Sequence, residues 1–293
     1  VVVAVAGAGK TTTMVARVRK QVARGRIDPS RLLVVSFSRA AVAAVRAQLR
    51  DDDTLAQVDV RTFHSLAHVL LDAWRRFDTA APAAPAGAPP PASVVPLVAR
   101  RAEREAAATD PDLAAAWRSV DLPVFTAYRG RCLARLELPG LEDAPLSASA
   151  RAEARPPPPD PEHPAHPFLL EHFERVRRTL GWLDHDQSLV AAWSALHASA
   201  PLLRWARDRW RAAIVDEAQD VNAVQLALFE RLLAGRQEVM LVGDDDQSVY
   251  GFRGAQPGSL RGFAERRGAR VLTLSQAFRS RAEPLAAAAA LMA

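Results

Sequence analysis

Gly7-Ala8-Gly9-Lys10-Thr11 lies directly after the apolar run Val1–Ala6, and these residue types suit the holding of phosphate. Small residues let backbone N–H groups close around phosphate oxygens, a lysine brings a point charge to the β- and γ-phosphates, and a threonine hydroxyl can ligate Mg²⁺. The 38 basic residues include only two lysines, Lys10 and Lys20. In so arginine-biased a chain, a lysine at this spot suggests that chemistry demanded it. The pattern GxxxxGK[ST] runs from Ala4 to Thr11, with alanine in place of its first glycine. Ala6, Gly7, Ala8, Gly9, Lys10, Thr11 and Thr12 are the candidate residues of this loop.

A second cluster is Ile214-Val215-Asp216-Glu217-Ala218-Gln219-Asp220. Two adjacent carboxylates after an apolar run are costly unless paired or metal-bound. Asp216 is suited to holding Mg²⁺ and Glu217 to activating a water that attacks a γ-phosphate. The two clusters together read as a site that hydrolyses ATP with Mg²⁺.

Strands and helices must bring the clusters into reach. Short β-rich apolar runs recur at Val1–Val5, Leu32–Val35, Val58–Val60, Ile214–Val215, Val239–Val242 and Val271–Leu274. Helical periodicity lies between them, at Thr12–Val22, Ala40–Leu49, Ser65–Trp74 and Val224–Leu233. Alternation of this kind predicts an α/β fold with a parallel sheet covered on both faces. Polar clusters follow the strands at their C-terminal ends, where open α/β sheets bind ligands. The middle differs. Ala80–Pro96 and Pro156–Pro167 are rich in proline and read as linkers or loop excursions. Helical patterns at Val94–Ala108, Leu113–Trp117, Phe125–Arg135 and Phe168–Leu180 predict a small helical insertion.

Composition adds little. The net charge of +5 is carried almost wholly by arginine, which leans toward a polyanionic partner without identifying one. The single cysteine, Cys132, excludes an internal disulfide framework and fits a small buried residue in a reducing cytoplasm. No apolar run approaches the length of a membrane span, and no signal-peptide layout is present. Asp51-Asp52-Asp53 reads as a solvated loop. Asp184 and Asp186 precede a helix and read as caps or as a family-specific surface, and His163 and His166 lack a convincing third metal ligand.

Six segments now stand in one order: the GAGKT loop, Ser36-Phe37-Ser38-Arg39-Ala40-Ala41, Thr62-Phe63-His64-Ser65-Leu66, DEAQD, Gly243–Ala255 and Gln276-Ala277-Phe278-Arg279-Ser280. This order resembles motifs I, Ia, Ib, II, III and IV of the UvrD/Rep/PcrA family of superfamily 1 DNA helicases. The resemblance implies a RecA-like P-loop domain built from residues 1–78 and 186–293, with residues 79–185 as the family's helical 1B insertion. It implies that Gln247 senses the γ-phosphate and that Arg279 stabilises transition-state charge. Phe278 stands where the family often has a tyrosine stacking on adenine. Phe37, Tyr250 and Phe252 become a base-stacking platform, the last where relatives often carry tryptophan. Arg39 and Arg253 are then candidates for DNA phosphates, and Thr62 and His64 lie near the DNA path.

The implied activity is an ATP-dependent translocase on single-stranded DNA and single/double-strand junctions, of 3′ to 5′ polarity, serving repair or replication. Two alternatives remain open: the motor subunit of a helicase–nuclease, and an ATP-binding DNA module inactive on its own. The chain begins without methionine inside a strand and stops inside the alanine-rich stretch Glu283–Ala293. It therefore reads as a fragment, with a second RecA-like domain expected elsewhere in the parent chain and weak activity expected of the fragment alone.

Overall fold

The computed structural model describes residues 1–5, 7–50, 52–78, 87–140, 146–236, 238–248, 259–276, 278 and 290. The elements begin with β1 (Val2–Ala4), α1 (Lys10–Ala23), β2 (Leu32–Ser36), α2 (Arg39–Leu49), β3 (Asp59–Thr62) and α3 (Phe63–Phe77). Helices follow as α4 (Pro91–Thr109), α5 (Pro111–Ser119), α6 (Leu122–Ala134), α7 (Ala148–Glu153), α8 (His166–Leu180), α9 (His185–Ala198) and α10 (Ala200–Arg209). The chain then returns to strands with β4 (Ala212–Asp216), α11 (Ala223–Leu232), β5 (Val239–Gly243), α12 (Ser259–Arg267) and β6 (Leu272–Leu274).

Contacts divide the chain into two units. One comprises residues 1–63, 207–221 and 233–293, and the other residues 64–206 and 222–232. This grouping falls differently from the boundaries read at 78/79 and 185/186, because α3, α9, most of α10 and α11 associate with the helical unit.

The first unit is α/β and RecA-like. Its six strands form one sheet in the order β3-β2-β4-β5-β1-β6, with every pairing parallel. Each residue of β2 and β4 is buried, as expected of central strands covered on both faces. Val18 of α1 and Val42 and Val45 of α2 join Val34, Ile214 and Val242 in the core. Ser38 caps α2 by accepting from the Ala41 N–H at 3.0 Å, which satisfies one otherwise unpaired donor of the first turn.

The second unit is helical. Trp117, Phe125, Tyr128 and Phe173 form the aromatic part of its core. Cys132 is buried among them, and burial pushes its thiol up to about 11, so it is an inert packing residue. A buried ion cluster sits beside this core. Arg129 Nε donates to Glu174 at 2.9 Å, its Nη2 lies 2.8 Å from Asp184, and Arg177 Nε donates to Glu174 at 2.6 Å. Asp184 also caps α9 by accepting from the Gln187 N–H at 2.9 Å. Two proline-rich readings need trimming. Pro91 sits at the start of α4 and Pro96 lies within it, and α8 begins at His166, before Pro167. Proline costs a helix little in its first turn, where its missing N–H has no intrahelical partner, which accounts for Pro91 and Pro167; Pro96, beyond the first turn, removes one intrahelical donor.

The ion cluster sets a stability prediction. Arg129→Leu leaves two buried carboxylates short of their cation, a loss of about 3–5 kcal/mol for a broken buried pair; urea denaturation should read it. Burial alone would raise the Glu174 pKa, but Arg177 and Arg129 outweigh it and hold the carboxyl below its ordinary 4.5. A depressed carboxylate stabilises the fold above the unfolded value and loses that contribution as pH falls below it. The wild-type thermal midpoint should therefore drop more steeply below pH 4.5 than that of Arg129→Leu. Parallel pH profiles would overturn the assignment.

Candidate active site

The loop after β1 turns on glycines. Gly7 and Gly9 have φ of 74° and 73°, a left-handed backbone that a side chain would strain. Gly9 is the N-cap of α1, and no side chain caps that helix or lends it an acidic first turn. The leading N–H groups of α1 are thus left for an anion, favoured further by the helix dipole. Ala8 is buried and donates its N–H to Val5 O at 3.1 Å, closing the turn. The Phe278 N–H donates to Gly7 O at 3.0 Å while its side chain remains 74% exposed. An open aromatic ring therefore stands next to the loop.

Parallel register brings the acidic cluster to the same edge of the sheet. Asp216 ends β4 and pairs in register with Ser36 at the end of β2. Glu217 then turns the chain with φ 51° and ψ 47°, a conformation uncommon outside glycine and a mark of functional strain. The turn carries Glu217 Oε2 to 3.8 Å from Lys10 Nζ. Asp216 is 2% exposed, and its Oδ1 has no hydrogen-bond partner. Burial first, then repulsion from Glu217, pushes its pKa up to about 6. Asp220 is pushed up to about 6 by the same two causes.

A buried carboxylate oxygen without a donor fits a cation. Among the described residues no group of three or more His, Cys, Asp or Glu could hold a metal unaided. Mg²⁺ typically binds through one or two protein carboxylates together with substrate phosphates, and Asp216 offers one such carboxylate.

Gln219 ties this cluster to the next strand, a role the sequence reading missed. Its Nε2 donates to Glu217 Oε2 at 2.9 Å, and its Oε1 accepts from the Asp244 N–H at 3.1 Å. Asp244 in turn organises the turn after β5. It accepts from the Asp246 N–H at 3.2 Å and from the side chain of Gln247. Gln247 thus lies in the polar network of Glu217, with its amide engaged by Asp244. No local pattern in the sequence marks Gln219, because its bonds join separate segments.

The remaining candidates lie farther along the sheet edge or beyond it. Phe37 is half-buried and Arg39 exposed after β2, and Thr62 closes β3. Ser36 and Thr62 are register partners, so Thr62, Ser36 and Asp216 form one row. His64 belongs to the helical unit. Burial, then His185 and His68, push its pKa down to about 4, so near neutral pH it offers an uncharged ring rather than a cation. Ala6, Tyr250, Phe252, Arg253 and Arg279 lie outside the described residues.

Comparison with known proteins agrees with this arrangement. The model of the UvrD/REP helicase N-terminal domain matches residues 1–79 and 142–267, and the chain belongs to that family. It is 29% identical to the "ATP-dependent DNA helicase UvrD2" of Mycobacterium tuberculosis over 95% of this chain and 39% of the relative. It is 25% identical to the "Putative ATP-dependent DNA helicase YjcD" of Bacillus subtilis over 95% of this chain and 34% of the relative. With "DNA helicase II" of Escherichia coli it shares 34% identity over 42% of this chain and 17% of the relative. The chain thus spans well under half the length of these relatives. No helix among the described residues is long and apolar enough to cross a membrane.

The Gln219 bridge leaves no room at Gly243. A Cβ there would lie 2.5 Å from Gln219 Oε1 and 2.9 Å from Leu260 Cδ1. Gly243→Ala should cost about 1–3 kcal/mol through overpacking, read as a lowered thermal midpoint. An unchanged midpoint would show that the bridge yields freely.

Proposed function

We propose that this chain is the nucleotide-hydrolysing part of an ATP-dependent motor acting on single-stranded DNA. The observation that carries the reading is Lys10 Nζ at 3.8 Å from Glu217 Oε2, beside the unpartnered buried Oδ1 of Asp216. In this reading Lys10 and the glycine turn hold the β- and γ-phosphates, and Thr11 and Asp216 hold Mg²⁺, which would screen the phosphate charge. Glu217 takes a proton from the attacking water, and Gln219 fixes its carboxylate. Gln247 exchanges its Asp244 contact for the γ-phosphate. Arg279 offsets transition-state charge and Phe278 stacks on the adenine.

The DNA path is assigned to Phe37, Arg39, Thr62 and His64, together with Tyr250, Phe252 and Arg253. Aromatic stacking grips single strands without reading sequence, because every base offers a π-face. We place translocation, with 3′ to 5′ polarity, in the whole protein. Two alternating grips are needed, and a second motor domain would supply the other. Motion along single strands and at single/double-strand junctions would suit repair or replication in the cytoplasm.

The nucleotide assignment is tested in the full-length protein. Lys10→Ala should abolish tight Mg·ATP binding. Glu217→Gln should keep nucleotide binding while turnover falls by about 10²–10⁴. Gln219→Leu should lower kcat about 10–100-fold with KM for ATP nearly unchanged, as loss of an orienting partner does. Normal turnover in Glu217→Gln would sink the reading.

A second test addresses DNA. Phe37→Ala combined with Phe252→Ala should weaken single-strand affinity by about 1–3 kcal/mol per lost stack and leave ATP binding intact. Wild-type affinity in the folded double variant would place both rings in the core.

A further inference from the structure

The helical unit contains a cavity of about 420 Å³ that takes no part in the chemistry above. Small-molecule sites are typically about 300–1,000 Å³ with mainly apolar walls and few polar groups. Leu71, Trp74, Leu133, Leu138 and Val190 supply apolar wall here. Of its polar residues, several are already satisfied. Glu174 pairs with Arg177 at 2.6 Å and Arg129 at 2.9 Å, Arg177 also donates to Trp182 O, and Arg75 pairs with Asp72 at 3.0 Å.

One polar residue on the cavity differs. Arg178 lines it, its guanidinium 3.7 Å from where a Cβ on Gly140 would stand. No carboxylate lies within ion-pair distance of it among the described residues. Glu174 is the one carboxylate on the described wall, and two arginines already neutralise it. Among the described residues the local balance therefore has room for one anion.

We propose that this cavity binds a small amphipathic acid. The apolar body fills the leucine-lined space against Trp74, and a carboxylate or sulfonate meets Arg178. A polyanion such as a nucleotide is a poor fit, since the described walls are mainly apolar and, among the described residues, Arg178 alone of the lining arginines has no carboxylate within ion-pair distance. The site is independent of the ATP-hydrolysis reading and stands or falls separately.

The probe is 8-anilinonaphthalene-1-sulfonate, which has an apolar body and one sulfonate, and brightens in apolar surroundings. It should bind this chain saturably at one equivalent near neutral pH and be displaced by decanoate. Arg178→Met should weaken binding about tenfold or more, the loss expected for a charge-assisted hydrogen bond. Its near-ultraviolet dichroism and thermal midpoint should be unchanged, which separates the effect from dye uptake by a loosened fold. Ala191→Trp, which fills the cavity without changing charge, should abolish binding. Unaltered affinity in folded Arg178→Met, or displacement of the dye by Mg·ATP, would overturn the proposal. If Ala191→Trp fails to fold, the Arg178→Met comparison decides alone.

Discussion

Two like charges at the end of a buried strand are the constraint on which the rest of the site depends. Asp216 and Glu217 are adjacent, and Glu217 adds to burial in raising the cost of ionising Asp216. The fold separates their fates. Asp216 stays with the buried row at the strand ends, while Glu217 turns through a left-handed conformation toward solvent and Lys10. A regular continuation of β4 would have sent the second carboxylate to the opposite face of the sheet. The strained turn is what lets both carboxylates serve the loop after β1, although β5 lies between β4 and β1.

That arrangement is only as firm as its support, and the support comes from β5. Gln219 holds Glu217 with its amide nitrogen and the Asp244 N–H with its carbonyl. Ser248 Oγ donates to the Gln219 backbone carbonyl at 3.3 Å. The turn bearing the proposed γ-phosphate sensor is therefore bonded to the turn bearing the proposed base. A shift of either one strains the other, a direct physical route by which nucleotide state could be passed along the sheet edge. Gly243 is glycine because Gln219 occupies the place its side chain would take.

Much of this was legible in the sequence, for identifiable reasons. The parallel strands appear as short apolar runs rich in Val, Ile and Leu, so all six were found, including the exposed β6, with β4 read short because Ala212 and Ala213 carry weak strand signal. The amphipathic helices α1 and α8 were found by their periodicity. By contrast α9 buries residues around most of its circumference, including Leu189, Val190, Trp193 and Leu196, which erases the periodic signal. The ends of α4 and α8 were blurred by prolines that a first turn accepts. Lys10, Asp216 and Glu217 were visible because their chemistry has few substitutes. Gln219 and Asp244 were not, because their importance lies in bonds between segments, and no local pattern reports such bonds.

The two halves of the site are poised in opposite ways. The Lys10–Glu217 contact is long, and the Glu217 side chain is 36% exposed. A contact at that distance with one partner partly exposed is weak, although the Lys10 side chain is only 10% exposed, so in the proposed reading an incoming phosphate takes Lys10 and leaves Glu217 free to face water. Asp216 is the reverse case, a buried carboxylate oxygen with no donor. Its ionised form is penalised until a cation arrives, and its raised pKa reports that penalty. Nucleotide and metal together would relieve both conditions at once, whereas nucleotide alone would add anionic charge beside an already disfavoured carboxylate. In the proposed reading such a site would favour the metal–nucleotide complex over either component, through a weak contact at the lysine and an unsatisfied one at the aspartate.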